Sequence, residues 1–151
     1  MENGKYKLSL LFVLLSFLLL PVSGLPYPLS GAEHGIKVEN AYVRTAAQGM
    51  MSAGYFKIAN SSDGPDTLYN VKASFAEMAQ LHETYRKDGL VGMKQAKFVV
   101  VPAKSSVEFR PGGYHVMLMN VKENLKVGKK VKFELFFKRA GTVRVNAVVK
   151  D

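Results

Sequence analysis

The chain contains no cysteine. In an oxidising compartment that excludes a disulfide framework, so the apolar core alone must hold the fold. It also excludes thiolate chemistry: disulfide exchange, a cysteine nucleophile, a cysteine metal ligand and lipid attachment at a lipobox cysteine. Acidic residues are scarce, 12 against 21 Lys and Arg, and the formal net charge is +9. Such an excess steers acidic partners or anionic surfaces toward the molecule. The lysines are scattered, however, and no groove of stacking aromatics and arginines accompanies them, so nucleic acid is not an expected partner. A sustained 3.6-residue apolar period is also missing, apart from a short helical turn expected near Lys122 to Val127. There is no internal repeat and no low-complexity tract. No Ser-His-Asp or paired-carboxylate pattern stands out, so the sequence does not read as an enzyme.

The one long apolar run is short for a bilayer span. Lys5 and Lys7 precede Leu8 to Leu20, thirteen residues that are all apolar except Ser9 and Ser16, where a spanning helix needs about 20. Val22-Ser23-Gly24 then supplies small residues. This pattern predicts a signal peptide over 1–24, cleaved after Gly24, and an exported protein without stable membrane insertion. A leader rich in Pro, Gly and Ser follows over 25–35, and a single domain over 36–151. Losing the first 24 residues lowers the net charge to +8. With 48% apolar residues, the domain is long enough to bury a core.

Within that domain nearly everything reads as short strands between turn signals. Ile36 to Arg44 alternates Ile36, Val38 and Tyr42 against polar neighbours. Gly54 to Asn60 ends in the loop Asn60-Ser61-Ser62-Asp63-Gly64-Pro65. Thr67–Ala73 and Glu77–Tyr85 follow, and Asp88-Gly89 then signals a tight hairpin, because both central positions favour positive φ. Leu90–Lys94, Lys97–Val101, Ser106–Phe109 and His115–Val121 continue the series. Val131, Phe133, Leu135 and Phe137 alternate with polar residues before Ala140-Gly141 turns the chain into Val143, Val145, Ala147 and Val149. Eight to ten short strands at this spacing predict an all-β fold, an antiparallel β-sandwich.

The chemistry lies in histidine and methionine. If Asp88 and Gly89 turn the hairpin, Met93 pairs with Thr84 and is diagonal to His82 on the same face. His115 and Met117, two apart on one strand, also share a face, opposite Val116 and Leu118, which should anchor that strand in the core. Each stretch thus offers one imidazole and one thioether, and together they make an N2S2 set. Soft thioethers with imidazoles suit Cu(I), whereas Mg²⁺ and Ca²⁺ want oxygen and a blue-copper centre needs a cysteine thiolate. Met119 shares the face of Met117, and Met78 that of His82; both read as packing, a spare ligand being the alternative for Met119. Met50 and Met51 fall in a loop and read as packing or a mobile flap, with lining of the metal pocket as the alternative. His34 belongs to the leader.

His82, Met93, His115 and Met117 are spaced H-x10-M-x21-H-x-M. In this the sequence resembles the periplasmic PCu(A)C-type copper chaperones. The resemblance extends to Val38–Arg44 (with Tyr42 where many members have tryptophan), Ser52–Ser61, the Asp88-Gly89 hairpin, Pro111-Gly112-Gly113 and the closing strands. It implies a cupredoxin-like or immunoglobulin-like Greek-key sandwich and a periplasmic location. It implies Cu(I) as the cofactor-like cargo, held by His82, Met93, His115 and Met117. The implied role is delivery to the CuA centre of cytochrome c oxidase subunit II or another copper acceptor. Storage or scavenging of copper uses the same ligands and is the alternative. The protein reads as a monomer. No His- and Met-rich tail follows, so a second Cu(II) role is not expected, and the tyrosine at position 42 is expected to affect core packing more than copper.

Overall fold

The computed structural model describes residues 35–151. The expected signal peptide and, apart from Gly35, the expected leader lie outside the described residues. Ten strands make up the structure: β1 (Ile36–Arg44), β2 (Ser52–Asn60), β3 (Asp66–Ala73), β4 (Ala76–Lys87), β5 (Leu90–Gln95), β6 (Val99–Val101), β7 (Ser105–Phe109), β8 (Tyr114–Val121), β9 (Lys130–Phe137) and β10 (Gly141–Lys150). There is no α-helix among the described residues.

The strands hydrogen-bond in the order β5-β4-β8-β7-β2-β1-β10-β9-β3-β6, with β8 also paired to β2. Most pairings are antiparallel, as expected; β1–β10 and β7–β8 are parallel. The sheet curls on itself into a sandwich. Phe56 of β2 reaches Phe133 of β9 edge-on, with ring centroids 6.1 Å apart, and Phe75 meets the same ring from β4's end at 5.5 Å. Gly54 makes room for this: a Cβ there would sit 2.6 Å from Phe133 Cζ. In β9 and β10 the alternation read from sequence is realised, Val131, Phe133 and Leu135 pairing with Ala147, Val145 and Val143 on the core side. Each fully buried Val, Leu, Ile or Phe contributes roughly 1.5–3 kcal/mol, which is how the domain folds without cross-links.

Two sequence expectations need correction. The alternation in β1 does not run through. Asn40 adopts a left-handed backbone (φ 54°), and the register with β2 shifts by one between Glu39 and Tyr42. This bulge turns Val43 into the core and Tyr42 to the outer face, as an inserted residue reverses the facing of everything after it. The helical turn expected near Lys122 to Val127 is also not formed. Leu125 instead makes an isolated antiparallel bridge with Ala46, with reciprocal backbone hydrogen bonds of 2.8 and 3.3 Å, and is buried in the core.

Buried polar groups are satisfied by the loops. Asn60 donates to the carbonyls of Gly64 and Val101 and accepts from Ser62, fixing the β2–β3 turn. Asp66, at the start of β3, accepts from the amides of Thr67, Arg139 and Ala140 at 2.7–2.9 Å, pinning the β9–β10 turn.

Candidate metal centre

Three adjacent strands build the centre. Asp88 and Gly89 both take positive φ (52° and 77°), the conformation that a two-residue hairpin turn requires. The turn fixes the β4–β5 register as expected: Thr84 faces Met93 and His82 faces Gln95. β8 lies on the other side of β4, and there His82 pairs directly with His115, and Gln80 with Met117. The hairpin half and the Pro111-Gly112-Gly113 half are therefore neighbours in one sheet. Val116 and Leu118 are fully buried on the core face, as the alternation predicts, leaving His115 and Met117 on the outer face.

The four side chains grade from buried to exposed. His115 is 6% exposed, whereas Met93 is 62% exposed. The imidazole centroids of His82 and His115 are 5.8 Å apart with planes inclined at 51°, a separation open enough for an ion between them. Met93, His115 and Met117 line a shallow pocket of about 280 Å³, whose wall also includes Thr84, Tyr55 and Ala53 and carries no charged side chain. His82 stands beside this pocket rather than in its wall.

Hydrogen bonds select the ring tautomers. His115 Nδ1 lies 3.0 Å from the Gly113 carbonyl. A carbonyl only accepts, so Nδ1 carries the proton and Nε2 keeps a free lone pair. His82 Nε2 lies 3.1 Å from Gln80 Oε1, whose amide nitrogen in turn donates to Met78 Sδ at 3.2 Å. The other nitrogen, His82 Nδ1, is buried with no hydrogen-bond partner. Burying an unpaired polar atom costs about 1–3 kcal/mol, and a metal ion is one group that would satisfy it. Burial first, and the neighbouring His115 second, push the His82 pKa below its ordinary 6.5. Both effects favour the neutral imidazole that ligates metals.

Among the described residues no three His, Cys, Asp or Glu side chains gather into a metal-binding group. The side chains that stand beside the two imidazoles are thioethers, a donor that hard cations do not take.

Several contributors were missed from sequence. Gln80 shares the parity of His82 and was findable that way. Tyr55 and Ala53 come from β2, whose pairing with β8 is nonlocal and not readable from any turn. Tyr42 does not pack in the core as expected: after the Asn40 bulge its ring lies tilted against that of Tyr55, a residue of the pocket wall, with centroids 5.0 Å apart and planes inclined at 36°. Met78 is not packing either, but is half exposed. Met50 and Met51 are exposed and do not line the pocket beside His115 and Met117.

Residues 36–149 match the LpqE-like family, described as "Putative lipoprotein LpqE-like", and the chain belongs to that family. Among curated proteins, "Putative lipoprotein Lxx21020" of Leifsonia xyli subsp. xyli is 36% identical over 118 residues, covering 78% of this chain and 70% of that protein. Among solved structures, a copper-bound PCuAC domain from PmoF2 superposes with a TM-score of 0.65 at 29% identity, covering 77% of this chain and 92% of the domain. The solution structure of CuI-DR1885 from Deinococcus radiodurans gives 0.58 at 32% identity, covering 75% and 78%. The family and the cupredoxin-like sandwich expected from sequence are those found.

Proposed function

We propose that this protein is a copper carrier, not an enzyme, that binds one Cu(I) through His82, Met93, His115 and Met117. The observation that carries the reading is the β4–β8 register, which sets His82 beside His115 and brings the two imidazole–thioether halves to one sheet face. The unpartnered His82 Nδ1 and the free Nε2 of His115 supply nitrogen, and Met93 and Met117 supply sulfur. Four neutral donors stabilise the monovalent ion and provide no thiolate for redox cycling. The copper-bound PCuAC domain and CuI-DR1885 are similar in fold and carry copper under those descriptions.

Exposure of Met93 favours delivery over storage. An incoming ligand displaces this thioether first, while buried His115 holds the ion, so transfer proceeds by associative exchange without unfolding the donor. The proposed acceptor is the CuA site of cytochrome c oxidase subunit II, reached in the periplasm after export through a signal peptide over 1–24. The chain's excess of basic side chains would help it dock on an acidic acceptor surface. A lipid anchor on cysteine has no attachment point in these 151 residues.

Anaerobic competition against a chromophoric Cu(I) chelator tests the site. The protein should take up one tightly held equivalent, with affinity lost by at least tenfold in His115→Ala and in Met117→Ala. Equal affinity in those variants would sink the four-ligand reading. Loss of CuA assembly in a deletion strain at limiting copper supports delivery, whereas copper sensitivity with intact CuA supports storage.

A further inference from the structure

Below the four-ligand clamp, the same outer face carries a second row of methionines. Ser52 of β2, Leu118 of β8 and Ala79 of β4 form a cross-strand row turned toward the core. One residue further stand Met119 of β8, Met78 of β4 and, just before the start of β2, Met51. Met119 and Met78 are direct partners, which places their Cβ atoms about 4.5–5.5 Å apart. Met51 immediately precedes Ser52, and alternation puts it on the side of Ala53, the partner of Met117. The chain before it stays against β8: Gly49 N donates to the Val121 carbonyl at 2.8 Å, and Val121 N to the Met50 carbonyl at 3.0 Å. Met51 is 64% exposed and Met78 50%, with Met119 partly exposed between them.

Three large apolar side chains, two from neighbouring strands and one from the residue just before a third, seldom crowd one exposed row without a use. Their sulfurs are neutral, soft donors on flexible stems, a set that takes Cu(I) or Ag(I) and leaves oxygen-seeking cations alone. Met78 Sδ is held toward the clamp by the Gln80 amide at 3.2 Å, and thioether sulfur keeps a second lone pair. The row lies two residues, about 7 Å, from Met117 along β8. The Ala53 side chain, which occupies β2 at that level, is too small to block the way.

We infer that Met51, Met78 and Met119 form a second, weaker Cu(I) site, a thioether station from which the ion passes to or from Met117 by exchange of one sulfur for the next. Lacking imidazole, this site fills after the clamp. It goes beyond the four-ligand reading: the exchange with Met117 rests on that reading, whereas binding at the station does not, because its ligands are different residues.

Methionine-methyl NMR on the purified protein tests this, with Ag(I) as a redox-inert probe and anaerobic Cu(I) in parallel. Up to one equivalent, the methyls of Met93 and Met117 should shift. Between one and two equivalents those of Met51, Met78 and Met119 should shift together, while Met50, as exposed but outside the row, stays in place. The doubly substituted Met78→Leu, Met119→Leu protein, a volume-conserving change, should lose the second phase and keep the first. The inference is overturned if the three methyls are unmoved at two equivalents, if Met50 shifts as much as they do, or if the double variant keeps the second phase. Should the three shift in the first equivalent while Met93 and Met117 stay still, the station stands and the clamp falls.

Discussion

At the scale of single residues, the histidines show how a sheet can fix the tautomer of an imidazole. His115 is oriented by one carbonyl acceptor, Gly113, so that its free nitrogen is decided before any metal arrives. His82 is left with a buried, unpaired nitrogen and a lowered pKa. The folded state therefore resists a proton that the unfolded chain accepts. Between the lowered folded pKa and the unfolded value near 6.5, the unfolded state binds more protons, so stability falls as pH falls. The contribution of His82 is full above about pH 6.5 and is lost progressively below it. Urea midpoints measured from pH 8 down to pH 5 should drop less in His82→Gln than in the wild type. Parallel curves for the two proteins would show that His82 is not the group responsible.

At the scale of elements, β4 is the strand on which the site depends, since it pairs with β5 on one edge and β8 on the other. The β4–β5 half was legible in the sequence because a turn of known geometry fixes its register: Asp88-Gly89 predicted the Thr84–Met93 pair, and that pair is found. The β4–β8 pairing had no such local signal. It was reached only through the resemblance carried by the spacing of the four residues. The contribution of β2 was illegible for the same reason, and Tyr42 was misplaced because one left-handed asparagine reverses the facing of the strand after it. β2 is also held tightly from behind. In Gly54→Ala the new methyl would meet the fully buried Phe133 ring at 2.6 Å, so the ring or the strand must shift. A loss of about 1–3 kcal/mol is expected. Gly113→Ala, whose Cβ would find its nearest neighbour at an ordinary 3.5 Å, should change stability by no more than about 0.5 kcal/mol. Chemical denaturation of the two variants side by side checks the contrast. Equal losses would mean that the Phe133 contact is not what constrains β2.

Over the whole molecule, the absence of cysteine leaves a few buried polar clamps to hold the layers in register around the apolar core. Asp66 is the strongest of these. It joins the beginning of β3 to the turn between β9 and β10 through the amides of Arg139 and Ala140, and also accepts from the adjacent Thr67 amide. Removing the carboxylate in Asp66→Ala strips those amides of their acceptor, at a cost of about 3 kcal/mol. Asp66→Asn, which retains one carbonyl oxygen, should lose less. Thermal and urea unfolding would order the three proteins. Cu(I) affinity of the folded variants should stay unchanged, because the Asp66 clamp joins strands that carry none of the four proposed ligands. A variant that lost stability and copper together would contradict that separation.

The position of β4 between β5 and β8 also sets an order of events in the life of the chain. A polypeptide that emerges N-terminus first can close the hairpin at Asp88-Gly89 as soon as β5 has appeared, since that contact is local and early. At that moment it holds one imidazole and one thioether, half of a claw. The second half waits for β8, which must seat itself along β4 while β2 and β9 close the interior behind it. On the proposed reading, capture of the ion is thereby postponed until the body is assembled, because an unfinished chain offers only two of the four donors.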